Sequence, residues 1–413
     1  GRFRVSGYRF NDSLPDALFA QRSVLSAPAS QRETFDFEEP LFSDLERAGL
    51  EPSVELSDVR TRVEELVRDQ ALSGLAPVRL FWRSVSEGLR FNRAEGLYLG
   101  MGTSVLLPNR LRARAHGGWS LGRRAASAEL ELSADVRDPN TRLSAHYSTP
   151  RDLGTHAGAS GIVNTLASLG RRDYLDLFFE TGVHASHRLG SSAEPHLELQ
   201  LGLARQERAE LVVDEPTNTA FRPVRDIEEG TYGSLAVRAT WPAAATGWTT
   251  AAVAGAHRLN GRSWGRLDLS LSWTRNPPDG PINLAMHTAA GTHIGSRIPP
   301  QSLYLLGGRS TLPGHDYRSL VGTQYWLVHG QAGVAVSRPW LELHLGAAGG
   351  GVGGLEAPPP GWSGATSPSA RGSAWVGFDA LWNVVTLDLA DGIGPQGRWE
   401  VIFAVSPRFH PWL

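Results

Sequence analysis

The chain contains no cysteine and only two methionines. Without cysteine there are no disulfides, no thiolate catalysis and no Cys-ligated zinc, and the composition suits a compartment that oxidises stray thiols. Neither sign of charge dominates: 40 Lys and Arg against 42 Asp and Glu give a net charge of −2. No basic field argues for nucleic acid, which is excluded as a partner. No run of 18 apolar residues occurs, so no transmembrane helix is expected. A β-barrel is untouched by that absence, because it hides its membrane signal in short alternating strands. Chemical signatures are also missing. The glycine-rich "GAAGGGVGG" (346–354) has no βαβ unit around it, as a nucleotide fingerprint would require. Thirteen histidines show no HExxH spacing, and His184 and His187, three apart on one strand, face opposite sides. No serine sits in a nucleophile elbow. No enzyme, metal or cofactor is expected.

What is present is glycine (46), tryptophan (13) and alternation. In "HLELQLGLA" (196–204), Leu197, Leu199, Leu201 and Leu203 share one face while His196, Glu198 and Gln200 share the other. In "WGRLDLSLSWT" (264–274), Leu267, Leu269, Leu271 and Trp273 oppose Arg266, Asp268, Ser270 and Ser272. "AELELSA", "LELHLGA", "VTLDLA" and "WEVIFAVS" repeat the pattern. Strict alternation describes a sheet with one apolar and one polar face. Soluble sandwiches alternate too. The number of strands, and the near absence of helix to cover them, favours a barrel.

About sixteen strands can be placed between residues 78 and 407. Long connections (149–174, 207–230, 292–321, 350–370) all join an odd strand to an even one. Tight turns such as "RDPN", "PAAAT", "NPPDG" and the one near Pro339 join even to odd. One rim with long loops and one with short turns is the pattern of an outer-membrane barrel. The expectation is an all-β fold, an antiparallel transmembrane barrel of about sixteen strands over residues 77–413. Trp82, Trp119, Trp241, Trp248, Trp264, Trp273, Trp326, Trp340, Trp382 and Trp399 fall near strand ends, as an interfacial girdle requires. Inward charges (Glu129, Glu131, Glu198, Arg266, Asp268, Glu342, Asp388, Glu400) either line a pore or neutralise one another. Residues 1–76 read as a short periplasmic segment with one amphipathic helix, marked by Leu56, Val59, Val63, Leu66 and Val67 with Ser57 as N-cap. The chain begins at Gly1, as a processed or truncated chain would.

The stretch "LYLLGGRSTLPGHDYRSLVGTQYWLVHGQAGVAVSRPWLELHLGAAGGGVG" resembles the surface-antigen (D15) barrel of the Omp85 superfamily. That family places a Gly-Gly turn, then a Val/Ile-Arg-Gly-Phe/Tyr tetrapeptide, at the tip of its sixth extracellular loop. A glycine-initiated strand and four more strands follow to the C-terminus. Gly307-Gly308, Leu312-Pro313-Gly314-His315 and Gly322 occupy the matching places. "VVTLDLADGIGPQGRWEVIFAVSPRF" resembles the family's last hairpin, with Phe409 near its closing aromatic, and "GLRFNRAEGLYLGMG" resembles a stretch of related barrel-terminated surface proteins.

The resemblance implies a loop folded back into the lumen and a role in inserting or translocating polypeptides across the bacterial outer membrane. Its partners would be the lipid bilayer with lipopolysaccharide, polypeptide substrates and periplasmic proteins. The family's tetrapeptide arginine pairs with acidic lumen residues; Pro313 stands at that position here. Arg309 or Arg318 can supply the cation instead, or Asp316 can reverse the polarity, with Glu342, Asp388 and Glu400 as candidate lumen acids. The alternatives are an inert surface loop on a structural or anchoring barrel within a larger envelope complex, or a passive pore. No pattern of the two-helix, three-strand POTRA type is visible in 1–76.

Overall fold

The computed structural model describes residues 78–405, apart from 110, 135–139, 157, 171, 214–220, 244–245, 276–279, 338–339, 367–369 and 382–383. The segment 1–76 with its anticipated helix, Trp382 and Phe409 lie outside the described residues. The described chain is nearly all β. It begins with β1 (Val78–Leu80), helical turn α1 (Val85–Gly88), β2 (Leu89–Asn92), β3 (Gly96–Leu106), β4 (Arg112–Ser120), β5 (Ala125–Ala134) and β6 (Thr141–Asp152). Helix α2 (Gly161–Leu169) precedes β7 (Leu177–Leu189), β8 (His196–Arg208), β9 (Gly230–Ala243), β10 (Trp248–Leu259), β11 (Arg262–Arg275) and β12 (Ile282–Ile294). A small hairpin of β13 (Tyr304–Leu306) and β14 (Leu320–Gly322) follows. Then come β15 (Gln324–Ser337), β16 (Leu341–Gly353), β17 (Arg371–Ala380), β18 (Val385–Ile393) and β19 (Trp399–Val405).

Seventeen strands make one sheet, and β13 with β14 make a second. Because β1 and β2 both pair with β3, the seventeen form sixteen antiparallel staves. Each stave pairs with the next in sequence, β12 pairing with β15 across the hairpin. The first stave is interrupted, not continuous over 78–86 as the alternation suggests. Ser84 and Gly88 bracket a single helical turn, and the chain regains β3 only at Leu89.

Alternation sorts the two faces. Leu197, Leu199, Leu201 and Leu203 are exposed while Glu198 and Gln200 are half-buried. Leu269 is 62% exposed, and Leu271 shares its face, half-buried. Large apolar side chains stand exposed on every stave except the alanine-lined β10. Such a band is far beyond the few hundred Å² that a water-soluble monomer shows.

The polar face is concave. One cavity of about 640 Å³ is lined by residues from β5 (Glu131) round to β12 (His287) and β15 (Tyr325), including Glu198, Arg266 and Asp268. Staves so far apart meet one cavity only if the sheet curls. Trp241, Trp248, Trp273 and Trp340 lie at the short-turn ends of their strands; Trp119, Trp326 and Trp399 lie at the long-loop ends. Trp264 departs from the anticipated girdle. It is 4% exposed and packs inside, stacked on His257 at 5.6 Å.

Candidate functional site: a loop folded onto the inner wall

Residues 295–323 form the connection that opened the resemblance, and their sequence explains their path. Tyr304–Leu306 alternates buried side chains on both faces and pairs with Leu320–Gly322. One face of this hairpin (Tyr304, Leu306, Leu320), joined by Leu312 from the tip, packs on Ala289, Tyr325, Leu327, Ala348 and Val352 of β12, β15 and β16. The other (Leu303, Leu305, Val321) packs on Leu153, Phe178, Ile227 and Trp362 from the long-loop rim. A loop with two apolar faces needs two apolar surfaces, and only the interior provides them.

The tip is built on glycine. Gly307 and Gly308 turn at φ values of +114° and +85°, and Thr311 Oγ1 accepts from Gly307 N at 2.8 Å. Gly314 (φ +76°) comes so close to the β18–β19 turn that a Cβ there would meet Gly392 N at 2.3 Å. Its N–H donates to Glu400 Oε2 at 3.0 Å, and its carbonyl accepts from Arg398 N at 2.8 Å. Leu312, Pro313 and His315 are buried. One ring nitrogen of His315, Nε2, bonds the Gly372 carbonyl at 2.8 Å.

The two arginines that could replace the family's cation have different fates. Arg309 lies 5.5 Å from the Tyr174 ring and donates to the carbonyl of Phe403 on β19. Burial pushes its guanidinium below the usual value, and Tyr174, Glu400 and Asp388 compensate only partly. Arg318 is 2% exposed. Its Nη1 donates to Asp176 Oδ2 at 2.9 Å, its Nη2 to Asp152 Oδ2 at 2.7 Å and to the Leu153 carbonyl. Burial opposes its charge, but Tyr317, Asp152 and Asp176 outweigh that and hold the guanidinium above the ordinary arginine value.

Asp176 is the centre of a knot. It also takes Arg222 Nη1 at 2.5 Å and Arg225 Nη1 at 3.1 Å. Arg225 Nη2 in turn donates to the carbonyls of Arg318 (2.9 Å) and Ser363 (3.1 Å). Burial alone would raise the Asp176 carboxyl; Arg222, Arg318 and Arg225 bring it down to about 2. The knot therefore ties together all four long connections, after β6, β8, β12 and β16.

The acids expected on the strands after the loop are placed otherwise. Glu400 reaches the loop, but through the Gly314 amide. Asp388 binds His344 Nε2 at 2.7 Å, and Glu342 accepts from Asn283 Nδ2 at 2.7 Å. None of the three meets Arg318, whose partners Asp152 and Asp176 lie upstream. Asp316 is exposed and pairs with Arg398 at 2.8 Å. Sequence reading missed Asp152 and Asp176 because Asp152 closes β6 and Asp176 stands just before β7, at the margins of the alternating runs, where no periodicity sets a facing direction. Four of the other inward charges, Glu129, Glu131, Arg266 and Asp268, are matched in place. Arg83 takes Glu129 (2.9 Å) and Glu131 (3.4 Å), and Arg266 takes Asp268 at 2.5 Å.

Sixteen antiparallel staves curled round a polar interior, with a long loop folded inside, define the class as an all-β barrel architecture. Two solved structures are similar in fold. CdiB from Acinetobacter baumannii is 15% identical with a TM-score of 0.45, covering 85% of this chain and 67% of that one. CdiB from Escherichia coli is 14% identical with a TM-score of 0.44, covering 85% and 70%. No protein-family model matches the chain. No curated protein matches it by sequence.

Proposed function

We propose that this chain is an outer-membrane β-barrel of the Omp85-like kind, acting in the insertion or translocation of polypeptides. The observation that carries the reading is the loop 295–323, held against the inner wall by the buried Arg318–Asp152–Asp176 contacts. A barrel whose only task is anchoring has no use for a plug tied by a costly buried ion cluster, and a passive pore is obstructed by one. The exposed apolar band supplies the lipid-facing surface, and the two levels of tryptophan suit its two interfaces. Lipopolysaccharide and lipid are the surroundings in this reading, and an unfolded polypeptide is the substrate.

The test is conductance in a planar bilayer. We expect the wild-type chain to show low, flickering conductance, and a variant with residues 307–318 replaced by a short Gly-Ser linker to show a large, steady one. Equal large conductance in both would make the chain a passive pore. No conductance in either would leave only the structural, anchoring role.

A further inference from the structure

A second constellation lies on the inner wall, apart from the arginine knot. His146 stands on β6, and Glu180 and His184 stand four apart on β7, all pointing inward. In the ladder His146 faces Gly182, so its ring sits between Glu180 and His184 with no side chain opposite it. His146 Nε2 is 3.1 Å from Glu180 Oε1, and His184 Nε2 is 3.4 Å from the same oxygen. One ligand atom from each of the three lies within 4.8 Å of the others. A tetrahedral ion with bonds of about 2.0–2.1 Å separates its ligand atoms by roughly 3.3 Å, which matches both measured edges.

Three further features support a built site. The His146 side chain is fully buried, yet its Nδ1 has no hydrogen-bond partner and its Nε2 meets only the Glu180 carboxylate, an arrangement that costs free energy unless something else satisfies it. Room has been made for the second imidazole: a Cβ on Gly202 would lie 2.9 Å from His184 Nδ1. The carboxylate is also oriented. Gln206 Nε2 donates to Glu180 Oε2 at 3.0 Å, leaving Oε1 to face the two rings, and outer partners of this kind are usual around metal ligands. Gln206 Oε1 itself accepts from Gln301 Nε2 at 3.1 Å, and Gln301 belongs to the inward-folded loop. The opposing feature is Arg151, whose Nε lies 3.3 Å from Glu180 Oε1. Its side chain is 39% exposed and can withdraw towards water when a cation arrives.

We propose that His146, Glu180 and His184 bind a divalent transition metal of the zinc class on the inner wall. Two imidazole nitrogens rule against magnesium and calcium, which take oxygen ligands. Three protein ligands leave a fourth position open to the interior. Through Gln206 and Gln301 the site also touches the plug loop.

The experiment uses the full chain without a histidine tag, folded in detergent, stripped with EDTA and titrated with zinc chloride against a fluorescent chelator. The expected result is one zinc per chain, not displaced by magnesium at roughly hundredfold excess. His184→Ala should weaken binding by more than about 100-fold, and Gln206→Ala by about 10–100-fold. His187→Ala, which changes an outward-facing residue of the same strand, should bind as wild type does. His146 is buried and its alanine variant risks misfolding, so His184→Ala carries the decision, with heat-modifiable gel mobility confirming that it folds. No stoichiometric zinc in the wild type, or undiminished zinc in folded His184→Ala, overturns the proposal.

Discussion

Arg318 is the residue on which the loop turns. It adopts φ +52°, an uncommon conformation for a residue with a side chain, and spends its guanidinium on two buried carboxylates. Breaking a buried pair by removing one partner typically costs about 3–5 kcal/mol. Arg318→Ala should therefore free residues 304–322, read as faster amide exchange there. Arg309→Ala, which removes a carbonyl contact and a ring contact, should do much less. The pH dependence follows from Asp176. Its carboxyl is held at about 2 in the folded chain against roughly 3.9 in an unfolded one. A lowered value means that the stabilisation is complete above about pH 4 and is lost as pH falls towards 2. The share that Asp176 contributes to loop protection should be flat from pH 5 to 8 and be lost in acid; a midpoint near neutrality would show that Asp176 does not govern it. The glycines and arginines of 307–318 offered Arg309 and Arg318 as anchoring cations, with Asp316 and an inert loop as alternatives. That Arg318 meets Asp152 and Asp176 was not readable, since nothing in a sequence says which distant loop folds over which. His184 shows the same limit. Read along the chain its neighbour is His187, on the other face, whereas its neighbour in space is His146, brought over by β6–β7 register.

Strands were far more legible than contacts, because a period of two is a property of the residues themselves. Fifteen of the sixteen staves fall where the alternation puts them, with ends shifted by a few residues; the first is broken by α1. The same alternation makes a sharp prediction on β11. Leu269 and Ser270 are adjacent but face opposite ways. Arginine at the bilayer midplane costs about 2–4 kcal/mol, so Leu269→Arg should lower the folded fraction in lipid vesicles, by heat-modifiable mobility, far more than Ser270→Arg. Equal losses would mean that the apolar face does not meet lipid. Helices were where the pattern failed. Neither α1 nor α2 was anticipated, the first because four residues carry no period, the second because it lies in a loop. Helix α2 nonetheless has a clear task. Ser160 caps it, its side chain accepting from Val163 N at 3.4 Å, and Thr165 Oγ1 accepts the Phe91 amide of β2 at 2.9 Å. The helix touches β19 as well, so it lies against both the first stave and the last. Thr165→Val keeps the shape and removes the acceptor. The Phe91 amide should then exchange faster, with the β8–β9 amides unchanged as an internal control.

Taken whole, the long-loop rim behaves as one body because its charges converge on one carboxylate. Asp176 accepts from Arg222, Arg225 and Arg318, and Arg225 carries the connection on to Ser363, so four segments distant in sequence share a single fully buried acid. Glu400, by contrast, holds the loop only at its tip, through one backbone amide. Residues in one network are non-additive when changed together, whereas separate ones add. Asp176→Asn keeps the volume and removes the charge, leaving three guanidiniums crowded without their shared partner. It should raise amide exchange across all four long connections together. Adding Arg318→Ala to it should do less than Arg318→Ala does alone, because of the two carboxylate contacts that Arg318 makes only the one to Asp152 is left to lose. Adding Glu400→Gln should instead give a further, independent loosening confined to residues near 314. Exchange that rises only in 304–322 for Asp176→Asn, or strict additivity of Asp176→Asn with Arg318→Ala, would show four loops that merely lie side by side. A plug tied that way could leave on its own. One tied through Asp176 has to take the rim with it, so release of this loop requires a rearrangement of all four long connections.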